Sequence, residues 1–341
     1  MRALNATSTI EGPGLSLVPG AIAVNPDLRS SWTSPAAKNA SAILFVGDFS
    51  AGDVDMFAVP SLRLVGTKTG FSYPNGMCSD REGNVWLVTT GNGPTGTGFQ
   101  LYEFSHTGAQ LDTFPDTSGY PASCAIDQMT GNLAVANFYD VHGANGFVQI
   151  YQHAKGSPKS YSGGNIVEFY LVGYDSNGNL FADGCSVKLC TNGGKFQLAE
   201  LPKGGSSFEP ITLQGGTIYF PGNIVWDSAH NDLIVGDLEC GGIVYNSCLY
   251  RVTVSGSTGT ITASTPLLNA IGGHACFVAQ PVLTRSGNLL AGGDYEPAAS
   301  QCPSYTASGA YLWNEQTGEP VDDIAAGLVA PTGAAISYAT N

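Results

Sequence analysis

Acidic and amide side chains close a recurring apolar run in this chain: Asp48 after Ala42–Gly47, Asn137 after Leu133–Ala136, Asp237 after Leu233–Gly236 and Asp294 after Leu289–Gly293, with Thr90 and Asp183 at the matching points of two further runs. Asn75 and Asn223 stand near the starts of the runs that precede two of them. A ring of carboxylate and amide oxygens suits a hard cation such as Ca²⁺. The same residues at strand ends also cap turns by accepting backbone amides. Of the 5 His, His142 and His274 fall in segments able to reach the same side as these oxygens. Two His fall short of a three-His zinc site. His106, His153 and His230 fall in turns on the opposite side, as solvated turn residues. Ser and His occur, but no Gly-x-Ser-x-Gly elbow is present and no Gly-rich loop precedes a helix, so no catalytic residue and no nucleotide cradle is assigned. Tyr120, Phe138, Tyr139, Tyr170 and Tyr295 sit near the same loops. Their flat rings suit a sugar or apolar ligand, or pack between layers.

The elements that position these residues repeat. Met77-Cys78-Ser79-Asp80-Arg81-Glu82-Gly83-Asn84-Val85-Trp86 is an apolar run, a tight turn and a second apolar run. Asp and Gly-Asn suit the turn because they tolerate left-handed backbone angles and close local hydrogen bonds. The pattern returns around Asp127–Asn132, Asp175–Asn179, Asp227–Asp232 and Thr284–Asn288. The copies lie roughly 45–55 residues apart, the period of a four-stranded propeller blade. Alternating third strands follow at Gln100–Phe104, Gly146–Tyr151, Lys195–Glu200, Leu249–Val254 and Ala310–Trp313. The reading is an all-β, six-bladed β-propeller of four-stranded blades closed by a terminal strand, with an arm over residues 1–18 and one domain over 19–341. Two segments compete for the closing slot: Gly20–Asp27, followed by a polar insertion over Leu28–Ala40, and Pro331–Tyr338. A spare terminal strand would offer an edge to a second copy, a route to a homo-oligomer.

Composition narrows the function classes. The 341 residues carry a net charge of −14 with 13 Lys plus Arg, which disfavours nucleic acid and anionic membrane surfaces. Proteins, glycans and small molecules remain as partners. No run of about 18 apolar residues forms a transmembrane helix. The 8 Cys pair on spacing as Cys185–Cys190, Cys240–Cys248, Cys276–Cys302 and Cys78–Cys124, though sequence alone leaves other pairings open. Disulfides place the chain in an oxidising setting: extracellular, cell surface or periplasm. Met1–Asn5 carry no signal-peptide core, so export implies a leader removed earlier.

The turns resemble those of NHL-type propellers, whose blades read as an inner strand, Asp-x-x-Gly-Asn and a hydrophobic second strand. Pro74-Asn75-Gly76-Met77-Cys78-Ser79-Asp80 and Glu82-Gly83 through Trp86 are also similar to a stretch of the regucalcin/gluconolactonase family. There Asn75 replaces that family's metal-binding Asp. Glu11-Gly12-Pro13 matches the family's ligand Glu motif without the Trp that follows it, and Asn223 in Pro221-Gly222-Asn223-Ile224 is displaced by one from the family's Asn. The resemblance implies a Ca²⁺ or Zn²⁺ held by Glu11, Asn75, Asn223 and Asp237, which would polarise a lactone carbonyl and activate water. Two functions therefore stand at this point. One is a secreted or cell-surface module that binds a ligand or partner without catalysis, with Asn75, Asn137, His142, Asp237, His274 and Asp294 as contact residues. The other is a metal-dependent lactonase-like hydrolase.

Overall fold

The turn chemistry sets the elements. The computed structural model describes residues 30–91, 99–115, 118–190, 194–297, 302, 308–324 and 328–340. In it, Asp80 accepts the Asn84 amide at 2.7 Å and Asp175 accepts those of Asn177 and Asn179 at 2.8 Å each. Asp127 accepts Met129 at 2.9 Å and Asp227 accepts Ala229 at 2.9 Å. Each carboxylate satisfies amides that a reversing chain exposes, and so fixes where one strand stops and the next begins. Among the described residues there is no α-helix, only short 3₁₀ turns.

The strands fall into five sheets. The first joins β1 (Trp32–Thr33), β2 (Ala42–Asp48), β3 (Asp53–Ala58) and β4 (Arg63–Thr69) to the last strand of the chain, β25 (Pro331–Tyr338). The second is β5 (Pro74–Ser79), β6 (Val85–Thr89), β7 (Gln100–Phe104) and β8 (Gln110–Pro115); the third is β9 (Gly119–Ile126), β10 (Leu133–Asp140), β11 (Asn145–Tyr151) and β12 (Lys159–Tyr161). The fourth holds β13 (Glu168–Tyr174), β14 (Leu180–Cys185), β15 (Phe196–Leu201), β16 (Glu209–Gln214), β17 (Pro221–Asp227), β18 (Asp232–Asp237), β19 (Cys248–Ser255) and β20 (Thr258–Pro266). The fifth is β21 (Val282–Leu283), β22 (Leu289–Asp294), β23 (Gly309–Asn314) and β24 (Pro320–Ile324).

The inner strands β25, β5, β9, β13, β17 and β21 pack side by side in that order, and Gln280 bridges to Gly333 where β21 returns to β25. This is a propeller-like ring around an axis. The closing strand comes from the C-terminus: β25 pairs with β2 from Ala42↔Tyr338 to Asp48↔Pro331. Gly333 is needed there, because a Cβ would lie 1.9 Å from the Asn75 carbonyl oxygen of the neighbouring inner strand. The competing segment Gly20–Asp27, the arm over 1–18 and Glu11 lie outside the described residues.

Two expectations are corrected. The insertion Leu28–Ala40 is not wholly loop: Trp32 and Thr33 pair with Thr67 and Gly66 and give the first sheet a fifth strand. Nor do six separate four-stranded sheets form. Four sheets are blade-sized, and the fourth in chain order has eight strands, because the outer strands β16 and β20 pair in parallel from Thr212↔Thr258 to Gln214↔Thr260. Gly259 makes this approach feasible, since a Cβ there would sit 2.9 Å from Leu213 Cδ2 and 3.0 Å from Ile211 Cγ2.

The core lies between neighbouring sheets. Ile43, Phe45, Met77, Leu87 and Phe104 fill the space between the first two sheets. Tyr311 and Trp313 stack at 5.0 Å against Ile234 and Leu249 of the eight-stranded sheet. Trp313 is fully buried and its indole N–H donates to the Leu268 carbonyl at 2.8 Å, so its one polar atom is satisfied. Disulfides link Cys78–Cys124, Cys185–Cys190, Cys240–Cys248 and Cys276–Cys302, the pairings expected from spacing. Cys78–Cys124 joins the adjacent inner strands β5 and β9.

Candidate functional site

The ring has two faces, and the side chains singled out by sequence lie mostly on the face where second strands end. There the carboxylates are turned inward. Asp48 accepts the amides of Val329 at 2.6 Å, Ala330 at 2.8 Å and Ala51 at 3.2 Å. Asp237 accepts Tyr219 and Phe220 at 3.0 Å each and Glu239 at 2.9 Å. Asp294 accepts Cys276 at 2.9 Å and Phe277 at 2.8 Å, and Asp183 accepts Leu171 at 2.8 Å. All four are 0% exposed. Each therefore clamps the chain leading into or along an inner strand, a task fixed by its place at the end of the adjacent second strand. Burial pushes the Asp183 and Asp237 carboxyls above the usual carboxylate range. Burial, with the Glu296 carboxyl beside it, pushes Asp294 up to about 8. Asn137, also 0% exposed, faces Val135 O at 3.4 Å and Gln149 Oε1 at 3.3 Å.

Aromatic rings roof this layer. Phe99–Tyr120, Tyr120–Tyr139 and Phe138–Tyr170 approach to 4.6, 4.5 and 4.7 Å, Tyr170–Phe220 to 5.5 Å, and Phe277–Tyr295 to 6.4 Å. Burial raises the Tyr139 and Tyr170 hydroxyls, with the Glu168 carboxylate adding to both shifts. The rings pack on one another along the inner-strand starts.

The remaining sequence candidates do not converge. His142 and His274 are both exposed, on the third sheet and on the approach to the fifth. Asn75 of β5 and Asn223 of β17 are separated by the inner strands β9 and β13, and Asp237 has both carboxylate oxygens on backbone amides. Among the described residues no three His, Cys, Asp or Glu side chains come together as a metal-holding group. His106 is not a solvated turn residue: it is half-buried between Ser337 Oγ at 2.8 Å and Ala40 O at 2.9 Å, tying the closing strand to two sheets. His153 bonds Thr130 O at 2.7 Å, and His230 pairs with Asp227 at 2.6 Å. Burial opposes ionisation of Asp227, but His230 and Arg251 outweigh it and hold its carboxyl below the usual range.

An open space lies at the other end of the axis. A cavity of about 460 Å³ opens among the first-to-second turns, lined by the latter halves of β5, β9, β13 and β17 and the start of β21. Met77, Ile126, Val172, Ile224, Val282 and the Cys78–Cys124 disulfide give it an apolar wall, and the exposed Met129 stands at its rim. Asn223 and Gln280 lie deep in the same wall, 1% and 8% exposed. Gln280 Oε1 reaches across to accept the Met77 amide at 2.9 Å. Asn223 and Trp226 contribute to this wall, and their side-chain nitrogens, buried on opposite faces of β17, have no hydrogen-bond partner among the described residues. Sequence reasoning placed Asn223 among metal ligands and passed over Trp226 and Gln280. The available signal was a polar residue interrupting an otherwise apolar inner strand, at Ser123, Asn223 and Gln280 alike.

No family model matches the chain, and no curated protein matches it. Among solved structures, a protein of unknown function from Bacteroides caccae superposes with a TM-score of 0.58 at 12% identity, over 87% of this chain and 99% of that one. U3-55K superposes with a TM-score of 0.47 at 11% identity, over 74% of this chain and 70% of its own. The first likeness is one of fold alone: a propeller-like ring shared with a protein whose activity is itself unassigned.

Proposed function

We propose that the protein is an exported, non-catalytic binding module whose small-molecule ligand occupies the axial cavity on the face of the first-to-second turns. The observation that carries this reading is the axial cavity of about 460 Å³ with its apolar wall. Its volume is in the range of small-molecule sites. The four disulfides support an oxidising compartment. Counting the eight-stranded sheet as two blades fused at their outer edges gives the six-bladed, NHL-type architecture that the turns resemble. The opposite face supports binding less well, because each of its buried carboxylates is turned onto backbone amides through at least one oxygen and its rings pack on one another.

The test is a titration with the neutral fluorescent probe N-phenyl-1-naphthylamine. Ser176 and Ser228 are exposed residues on the cavity rim, so Ser176→Trp with Ser228→Trp should plug the mouth without disturbing the core. Saturable fluorescence in the parent protein, weakened about tenfold or more in the plugged variant, is the expected result. Equal binding by both proteins would remove the cavity as the site.

A further inference from the structure

We propose that the groove between β15 and β16 binds an extended peptide segment of another protein, one carrying an acidic side chain, by taking it in as an added strand. This site is separate from the axial cavity and does not depend on it.

Pairing between these two strands runs from Glu200↔Glu209 to Leu198↔Ile211 and stops there. The next partners in register would be Gln197 with Thr212 and Phe196 with Leu213. They part because β16 turns aside to run parallel to β20 from Thr212↔Thr258 to Gln214↔Thr260, while β15 stays on β14 as far as Phe196↔Cys185. The seam that fuses the eight-stranded sheet thus opens a split beside it. A groove of about 530 Å³ occupies the split, with residues 194–198 on one bank and 211–213 and 216–219 on the other. Successive residues of a strand turn their N–H and C=O to opposite edges. Thr212 donates its amide to Ser257 O at 2.8 Å, on the β20 side, and Lys195 O accepts the Ser186 amide at 3.0 Å, on the β14 side. Their neighbours Leu213 and Phe196 therefore turn their backbone groups into the groove, where the β15–β16 ladder no longer pairs them. The Gln197 side-chain amide covers the Phe196 carbonyl at 2.8 Å, a local cap that an incoming backbone N–H replaces. Unpaired strand edges of this kind accept an added strand. At about 3.3 Å per residue, the open bank at 194–197 accommodates about four residues. Phe196, Leu198, Ile211 and Leu213 belong to one apolar cluster, so alternate side chains of the added strand meet an apolar surface. Lys195 is exposed and is the one charged side chain lining the groove, and its complement is a carboxylate.

The probes are three terminally blocked pentapeptides titrated against the full chain by calorimetry: Thr-Val-Glu-Val-Thr, the same peptide with Lys in place of Glu, and the Glu peptide with both valine nitrogens methylated. The Glu peptide should bind saturably and about three- to tenfold tighter than the Lys peptide. Methylation removes donors that the added strand needs and should weaken binding about tenfold or more. Lys195→Glu, at an exposed position, should invert the order of the Glu and Lys peptides, which locates binding at this groove. The protein carrying Ser176→Trp and Ser228→Trp should bind the Glu peptide as the parent does. No saturable binding up to about 1 mM, equal binding of the methylated peptide, or an order unchanged by Lys195→Glu would overturn the proposal. Loss of peptide binding in the plugged protein would move the peptide to the axial cavity and overturn it as well. A parent protein that sediments as a dimer and separates on adding the Glu peptide would assign the groove to a second copy, against an outside partner.

Discussion

Asp48→Ala should loosen the closure of the ring, and its cost can be worked from the contacts. Asp48 ends β2, the first long strand described, and its two carboxylate oxygens hold the amides of Val329 and Ala330, the residues immediately before the closing strand β25. The third amide it accepts, Ala51, lies in a partly buried turn and can turn to water. Truncation leaves the buried Ala330 N–H without an acceptor, while the part-buried Val329 amide, like that of Ala51, can turn to water. An unmade buried hydrogen bond costs about 1–3 kcal/mol, so the variant should lose about that much. Asp48→Asn keeps one acceptor oxygen and should lose roughly half of that.

The assay is urea unfolding followed by Trp fluorescence, with hydrogen exchange read along β25. Because β25 is joined to β2 only through space, weakening the clamp should raise exchange from Ala330 through the length of the strand. Asp237→Ala is the matched control: it removes the same kind of clamp, on Tyr219 and Phe220, from a strand whose second strand follows it directly in the chain. Its faster exchange should stay near residues 219–221. A loss below about 1 kcal/mol for Asp48→Ala, or equal spread of exchange in the two variants, would refute the view that this carboxylate holds the closure.

Two further perturbations follow from the same geometry. Asp294 is pushed up to about 8 by burial and Glu296, whereas in the unfolded chain it titrates in the usual carboxylate range, so between about pH 4 and 8 the folded state binds more protons and stability should fall as pH rises. Asp294→Asn stays neutral throughout, so its melting temperature should vary less between pH 5 and 8 than the parent's. Parallel pH profiles would count against a protonated Asp294. Gly259→Val should part the seam between β16 and β20, where even a Cβ would meet Leu213 at 2.9 Å, and overpacking of this kind costs about 1–3 kcal/mol. Hydrogen exchange at Thr212, whose amide donates to Ser257 O at 2.8 Å, should speed up while the inner strands keep their protection; an unchanged Thr212 amide would show that the seam tolerates side chains.

Much of the architecture was written locally. Asp80, Asp127, Asp175 and Asp227 mark turns because a carboxylate two to four residues before free amides captures them whatever the remainder of the chain does. Cys185–Cys190 and Cys240–Cys248 were legible for a similar reason, since short separations leave few other geometries. The seam of β16 and β20 was not, because it depends on contact between outer strands of different repeats and on the absence of one side chain at Gly259. The extra strand at Trp32 and Thr33 escaped because two residues carry no periodicity.

The side chains at the mouths were misleading for a physical reason that bears on reading rings of this kind. Asp48, Asp183, Asp237 and Asp294 look like ligands because they recur in register around an axis, and recurrence in register is also what a repeated structural joint requires. Sequence cannot separate the two, since both need an oxygen at the end of each second strand. What separates them is whether the oxygens face backbone amides, as both oxygens of Asp48 and Asp237 and one each of Asp183 and Asp294 do, or open space. The residues lining open space here, Asn223, Trp226 and Gln280, do not recur as one type. A ring closed by repeated joints leaves the chemistry of its axial cavity to the positions where the repeats differ.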